Sequence, residues 1–309
     1  MTGPAAPFTH GAIFYDDMSG FLADTVPFLL DGIAAAEPTL VAVEPTKVKA
    51  MREALPDSRG AIHFVDMTDV GRNPGRIISA WADFIGEQPA TQRLRGIGEP
   101  VWPGRSHDEI VECQRHEALL NLAFADRTGF VLLCPYDRTH LDAAVLAEAR
   151  CSHPLLVQDG ETVASGQYDQ GVAPFAGSLT EPTGHIEVLH LDEHSLADVR
   201  RWVSEGVFSA GLDAERTDDL ALAVTEAVTN TLLHAGAGGE LRRWRQNGHI
   251  VCEVQDQGWI HDPMAGRLPV DIEAPGGRGL WLIHQLCDLV QIRSSEAGNV
   301  VRMQMGSRN

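Results

Sequence analysis

Lysine is almost missing from this sequence: Lys47 and Lys49 are the only two in 309 residues. Neither follows a Gly-rich turn, so a P-loop, whose lysine reaches the nucleotide phosphates, is excluded. Positive charge is scarce overall, with 24 Lys and Arg against 43 Asp and Glu and a formal net charge of -19. Without a basic run, direct nucleic-acid binding is not expected, and neither is a basic amphipathic membrane anchor. No apolar stretch approaches the ~18 residues of a membrane span. Met1 to His10 lacks the charged-then-apolar pattern of a signal peptide, so a cytoplasmic location is expected. Cysteine is sparse: Cys113, Cys134, Cys151, Cys252 and Cys287 are odd in number, widely spaced and without a Cys-x-x-Cys pair. Neither a disulfide framework nor a zinc site is expected from that spacing, only buried thiols.

What is present suggests about two domains at ~150 residues each. The hydrophobic fraction of 44% is ample for sizeable cores. In the first half, short apolar runs at 39–43, 61–65 and 129–134 read as buried strands. Amphipathic stretches at 19–33, 47–55, 76–86 and 107–124 read as helices between them. That alternation predicts a parallel α/β sheet, which usually presents ligands at the carboxyl ends of its strands. Residues 158–184 are rich in Gly, Ser, Thr and Pro and have little periodicity. They read as an interdomain linker with partial order, set at 159–185.

The second half has another rhythm. Residues 185–191 alternate like a strand, and 195–210 read as a helix with Ser195 at its N-cap. Residues 213–234 form a long helix, and 241–245 and 250–254 a hairpin around Asn247-Gly248. Asn-Gly suits a type I′ turn because both central residues take positive φ. A loop at 257–277, a helix at 279–289 and a hairpin of 290–293 with 300–305 complete an α+β layer.

Three local features carry chemistry. Glu226, Asn230 and His234 follow one another at intervals of four on the long helix. Each such step drifts only ~40° around a helix, so the three form one polar stripe. Leu220, Ala223, Val224, Ala227, Val228 and Leu232 supply apolar faces that bury the rest of it. Polar groups on a buried helix are costly unless satisfied, which points to a ligand cavity. Solvent exposure is the plainer explanation for Glu226 or His234 taken alone. Asp256, at a strand end followed by Gly258, can accept a hydrogen bond from an exocyclic base amine. Gly276, Gly277, Arg278, Gly279 and Leu280 open a helix whose N-terminal N–H groups and dipole suit phosphate.

In this order and on these elements, the three features resemble the GHKL ATP-binding family, which includes gyrase, Hsp90, histidine kinases and MutL. The short Glu-x-x-x-Asn-x-x-x-His form is similar to the RsbW-like anti-sigma-factor serine/threonine kinases, over residues 186–309. The resemblance implies a Bergerat fold and the cofactors ATP and Mg²⁺. It implies Asn230 as the Mg²⁺ ligand and Glu226 as the general base. It assigns Asp256 to the adenine amino group, Gly258 to close backbone approach, and Gly277, Gly279 and Leu280 to the phosphate side. His234 takes a supporting role, and Arg278 either reaches a phosphate or is solvated. Two departures stand out. Ile260 replaces the second Gly of the family's Asp-x-Gly-x-Gly box, and Ala274-Pro275 occupies the place of an Arg suited to the γ-phosphate.

In the first half, Gly98 to Trp102, Arg115 to Asn121, Cys134 to Asp137 and His153-Pro154 together resemble the MEDS sensory domain. That resemblance covers about residues 8–158 and implies a degenerate RecA/KaiC-type module. Glu99, Glu117, Cys134, Tyr136 and His153 lie near strand ends or on a helix and are candidates for a sensory pocket. The plainer expectation pairs Glu99 and Glu117 with Arg and packs Cys134 in the core. His63, His107, His116 and His140 show no ligand spacing.

The expected function is a cytoplasmic signalling regulator. Its sensory domain controls a kinase domain that phosphorylates an anti-anti-sigma (STAS) partner, sequesters a sigma factor, or both. Related kinases are often dimers, so a homodimer is among the expectations. One alternative is a non-catalytic ATP-binding protein that only sequesters its partner. Another is a sensor histidine kinase, which needs a two-helix module bearing an acceptor His. Residues 186–211 hold one strand and one helix, with His190 and His194 nearby.

Overall fold

In a computed structural model of the chain, the described residues are 7–56, 60–158, 160–169, 177–192, 196–208, 211–235, 238–269 and 277–307. The chain divides into two units, residues 1–172 and 173–309. Among the described residues, no helix is long and apolar enough to cross a membrane. The expected cap Ser195, the candidate acceptor His194, residues 170–176 of the expected linker, Ala274-Pro275 and Gly276 lie outside the described residues.

The first unit runs β1 (Thr9–Tyr15), α1 (Met18–Ala34), β2 (Thr39–Val43), α2 (Pro45–Ala54), β3 (Ile62–Asp66) and α3 (Met67–Val70). It continues with α4 (Ile77–Gly86), β4 (Leu94–Gly98), α5 (His107–Ala123), β5 (Phe130–Asp137), α6 (Ala143–Ser152), β6 (Leu155–Gln158) and β7 (Glu161–Ala164). The strands form one sheet in the order β3-β2-β4-β5-β1-β6-β7. Every pairing is parallel except β6 with β7. Strand β2 is buried throughout, the pattern of a parallel strand covered on both faces. β1, β4, β6 and β7 come in addition to the strands expected from the sequence. β4 contains two glycines in five residues, and β7 is exposed along its length, so neither carries a strong strand signal. Helix α5 starts from a capping box. The Ser106 hydroxyl accepts from the Glu109 N–H at 3.3 Å, and Glu109 accepts from the Ser106 N–H at 2.8 Å.

The second unit runs β8 (Glu187–Leu191), α7 (Leu196–Phe208), α8 (Ala214–His234), β9 (Gly239–Gln246), β10 (His249–Asp256), α9 (Arg278–Leu286), β11 (Leu289–Ser295) and β12 (Gly298–Gly306). Its sheet has the order β11-β12-β10-β9-β8, with every neighbour antiparallel. Asn247 and Gly248 join β9 to β10 with φ of 50° and 80°, the positive values a type I′ turn requires. Asp213 caps α8 by accepting from the Arg216 N–H at 2.8 Å. Helix α9 ends at Leu286, earlier than the expected Leu289, because Cys287 is already extended and Leu289 pairs with Gln304 of β12.

One face of this sheet buries Ile250, Cys252 and Val254 of β10 against Leu220, Ala223, Val224, Ala227 and Val228 of α8. Glu253 points to the other face, since neighbouring strand residues alternate. It is fully buried between its cross-strand neighbours Arg242 and Arg302. Arg302 Nε donates to Glu253 Oε2 at 2.7 Å, and Arg242 Nη1 to Oε1 at 3.1 Å. The same arginines hold the segment ahead of β8: Arg302 donates to the Thr180 carbonyl and Arg242 to Glu181, both at 3.0 Å. Within 159–185, therefore, β7 belongs to the first sheet, and Thr180 and Glu181 lie against the second.

Candidate functional site

The polar stripe of α8 lies at the margin of its buried face. Glu226 and Asn230 are half-buried, and His234 is exposed in the last turn. Thr231, beside the stripe, is buried and donates its hydroxyl to Asp256 Oδ2 at 2.6 Å. Asp256 ends β10, and its Oδ1 accepts from the Gly258 N–H at 2.7 Å. One hydrogen bond thus ties α8 to the end of β10, and another sets the turn that follows. A carboxylate has about four lone-pair sites, so acceptor capacity remains for a ligand amine.

Helix α9 enters beside this point. Gly277 sits at its N-cap with φ of 81°, a left-handed value that favours glycine. Gly279 packs on the stripe itself. A Cβ there would lie 3.1 Å from both Glu226 Oε2 and Asn230 Nδ2. The N-terminus of α9 therefore approaches the two side chains as closely as a residue without a side chain permits. A cavity of about 740 Å³ opens here, within the usual range for small-molecule sites. Asn230, His234, Asp256, Gly258, Gly277, Gly279 and Leu280 line it, joined by Trp259, Ile260, Met264, Leu268, Asn299 and Val301. Glu226 and Arg278 are not among the lining residues. Ile260, at the departure from the Gly-x-Gly pattern, donates its N–H to Ser294 Oγ at 2.7 Å and packs on the core. The turn is thus pinned to β11. Trp259 lies against His261 with ring centroids 4.0 Å apart and the planes tilted by 38°. Thr231 and Asn299 escaped the sequence reading. Thr231 carries a detectable signal, one residue past Asn230 on the same helix, whereas Asn299 is placed only by its pairing with Asp256.

In the first unit, Glu117 on α5, Cys134 and Tyr136 on β5, and His153 at the end of α6 come together. His10 of β1 joins them, unanticipated from sequence. Glu117 Oε2 lies 3.1 Å from His10 Nε2, 3.4 Å from His153 Nε2 and 3.5 Å from Cys134 Sγ. Glu117 therefore has histidine partners and not the expected Arg. Burial, then the charge of His153, pushes His10 down to about 4. Burial, then the Glu117 charge, pushes the Cys134 thiol and the Tyr136 phenol well up. Glu99 sits elsewhere, and its partners are also not Arg. Its Oε1 accepts from Tyr15 at 2.6 Å and from Lys47 Nζ at 2.8 Å. Burial pushes the Glu99 carboxyl up to about 7, with Lys47 and Tyr15 pulling the other way. Among the described residues no cysteine forms a disulfide; Cys113, Cys134, Cys252 and Cys287 are buried and Cys151 is half-buried. His190, a candidate phospho-acceptor, lies exposed on β8 beside Glu240 at 3.4 Å.

Residues 9–154 match MEDS, the MEthanogen/methylotroph, DcmR Sensory domain family. Residues 189–305 match the Histidine kinase-like ATPase domain family. The chain carries a MEDS domain at its N-terminus and a GHKL-type ATPase domain at its C-terminus, one in each unit. No curated protein matches it. Among solved structures, the RsbU and RsbW domains of Rv1364c from Mycobacterium tuberculosis are similar at 18% identity and a TM-score of 0.31. The likeness covers 40% of this chain and 32% of that one, so this chain spans about a third of that structure's length.

Proposed function

We propose that this chain is a signalling regulator whose C-terminal unit binds ATP with Mg²⁺ and acts as a serine/threonine protein kinase of the anti-sigma-factor type. The observation that carries this reading is the meeting of Glu226 and Asn230 with Gly279, beside a cavity that also holds Asp256. The residues fit the nucleotide: a small-residue helix start, an amide oxygen and a carboxylate with spare lone pairs share one cavity of suitable volume. ATP with Mg²⁺ supplies, when bound, a transferable phosphoryl group whose charge the cation offsets.

In this reading Asp256, held by Thr231 and Gly258, accepts from the adenine amino group and so selects the base. The Asn230 amide oxygen is the protein ligand to Mg²⁺. The N–H groups opening α9 at Gly277, Arg278 and Gly279 face the phosphates, where the helix dipole favours negative charge. Glu226 takes the proton of an attacking Ser or Thr hydroxyl onto its carboxylate. The substrate is a STAS-fold anti-anti-sigma protein, and the sequestered partner a sigma factor. The MEDS unit, read as a RecA/KaiC-type module from its parallel sheet, gates this activity. Serine/threonine transfer is tested by incubating the chain with labelled ATP and STAS-fold partners. Transfer that is lost in Glu226→Gln while nucleotide binding persists supports the kinase.

A second reading is a nucleotide-binding sequestrator without transfer. It draws support from Glu226, which stands outside the cavity lining, and from Ala274-Pro275 in place of an arginine. Partner binding that responds to ATP with no label transferred by the unmodified chain would decide for it.

A further inference from the structure

The buried cluster of the first unit has a feature that side-chain packing leaves unexplained. His153 Nδ1 lies 2.8 Å from the Ala149 carbonyl, an acceptor only, so Nδ1 carries a proton. His10 Nδ1 lies 3.1 Å from Asn121 Oδ1. The Asn121 amide is oriented by its other end, because Nδ2 donates to the Ser152 carbonyl at 2.8 Å. Its Oδ1 is therefore the acceptor, and His10 Nδ1 is also protonated. In the neutral form that metal ligation requires, both rings turn an Nε2 lone pair toward the same carboxylate oxygen, Glu117 Oε2, at 3.1 and 3.4 Å. Acceptor faces acceptor in a site closed to water: His10 and His153 are 0% exposed, Glu117 and Cys134 1%. His153 Nε2 has no hydrogen-bond partner.

We propose that His10, Glu117, Cys134 and His153 form a four-ligand site for a divalent first-row cation, Zn²⁺ above all. The four ligand atoms lie within 4.8 Å of one another. Zinc bonds of ~2.0–2.3 Å in a tetrahedron place neighbouring ligand atoms ~3.3–3.7 Å apart. The separations of 3.1, 3.4, 3.4 and 3.5 Å among these atoms are already close to that figure. Two imidazoles and a thiolate suit zinc over the harder cations Mg²⁺ and Ca²⁺. Charge fits as well, since thiolate and carboxylate together cancel a dication and leave a neutral filled site where burial penalises net charge. On binding, the Cys134 S–H bond breaks, its electron pair goes to the metal, and its proton leaves to solvent. Asn121 and the Ala149 carbonyl act as the outer partners that fix ring orientation at metal-bound histidines. With all four positions supplied by protein, the site is closed and structural. It fastens β1, α5, β5 and the end of α6 to one point.

The test uses the full chain, stripped with a chelator under reducing conditions and reloaded with Zn²⁺ or Co²⁺. Expected are one zinc per chain by elemental analysis, and a cobalt form with tetrahedral visible bands and a thiolate charge-transfer band. Cys134→Ser removes the thiolate band, Cys113→Ser keeps it, and Asn121→Ala weakens affinity ~10–100-fold. A folded, unmodified chain that takes up neither metal overturns the proposal and leaves a buried imidazolium–carboxylate pair. Persistence of the thiolate band in Cys134→Ser also overturns it, by locating the metal elsewhere. Both measurements on the unmodified chain stand even if a variant misfolds.

Discussion

Replacing Gly279 by Ala separates nucleotide binding from stability. Gly279 has ordinary helical geometry in the first turn of α9, so the added methyl strains no backbone angle. On propensity alone, Ala stabilises a helix by about 1 kcal/mol over Gly. Against this, the new Cβ meets Glu226 Oε2 and Asn230 Nδ2 at 3.1 Å and Asn230 Oδ1 at 3.3 Å, a few tenths of an ångström inside ordinary contact. Half-buried side chains can shift by that much at a cost of about 1 kcal/mol, the cost of moving a rotamer well off its minimum. The two effects nearly cancel, and the melting temperature should stay within a few degrees. The proposed nucleotide site cannot compensate in the same way, because the methyl and the displaced side chains enter the space that α9 shares with α8. Losing one charge-assisted hydrogen bond to phosphate costs about 1.5–3 kcal/mol, roughly a 10–100-fold loss in ATP affinity. Calorimetric titration with ATP reads the affinity, and thermal unfolding without ligand reads the stability. Gly277→Ala gives the contrast, since φ of 81° adds strain of about 1–2 kcal/mol and lowers stability as well. Unchanged ATP affinity in a folded Gly279→Ala protein would refute the assignment of this helix start to the phosphates.

Other outcomes follow from the same structure. Asp256→Asn places an NH₂ group toward either the Thr231 hydroxyl or the Gly258 N–H, so ATP binding should fall below detection by calorimetry. Retained ATP binding would remove Asp256 from base recognition. Glu253→Ala takes the carboxylate from buried Arg302, while half-buried Arg242 keeps Glu181, and should destabilise the second sheet by about 3 kcal/mol, read by hydrogen exchange in β9, β10 and β12. For Glu99, a folded carboxyl at about 7 against an ordinary 4.5 means the folded state binds the extra proton between those values. Stability of the first unit should therefore fall as pH rises from 4.5 through 7, by up to about 3 kcal/mol relative to Glu99→Gln. Parallel stability curves for the two proteins would show that Glu99 ionises normally. Trp259, 47% exposed at the cavity, should change its fluorescence when ATP binds, and Trp259→Phe should abolish that change.

The second unit was legible because its signals are local. The four-residue spacing of Glu226, Asn230 and His234 lies on one helix, and Asn247-Gly248 announces its turn through two positive φ values. The cavity lining was partly legible for the same reason. Asn299 was not, because it reaches the site across a strand pairing that no short window contains. In the first unit, β2 declared itself as a continuous apolar run, whereas β4 was hidden by Gly96 and Gly98. The His10, Glu117, Cys134 and His153 cluster had no sequence spacing to find. His10 lies 107 positions from Glu117 and 124 from Cys134, and the four come from separate elements brought together by the β1–β5 and β1–β6 pairings. Cysteine spacing reports only sites built within one segment, so it carries no information on a cluster assembled from four.

The two arginines on the far face of the second sheet also have a mechanical consequence. Arg302 and Arg242 grip Thr180 and Glu181 on one side and Glu253 on the other. Glu253 stands three positions before Asp256 on the same strand. A strand is stiff along its length, so tension on the incoming chain at 180–181 is delivered to β10 and not dissipated in a slack loop. The segment ahead of β8 thus has the geometry of a tendon, inserted on the rod that carries the site's carboxylate.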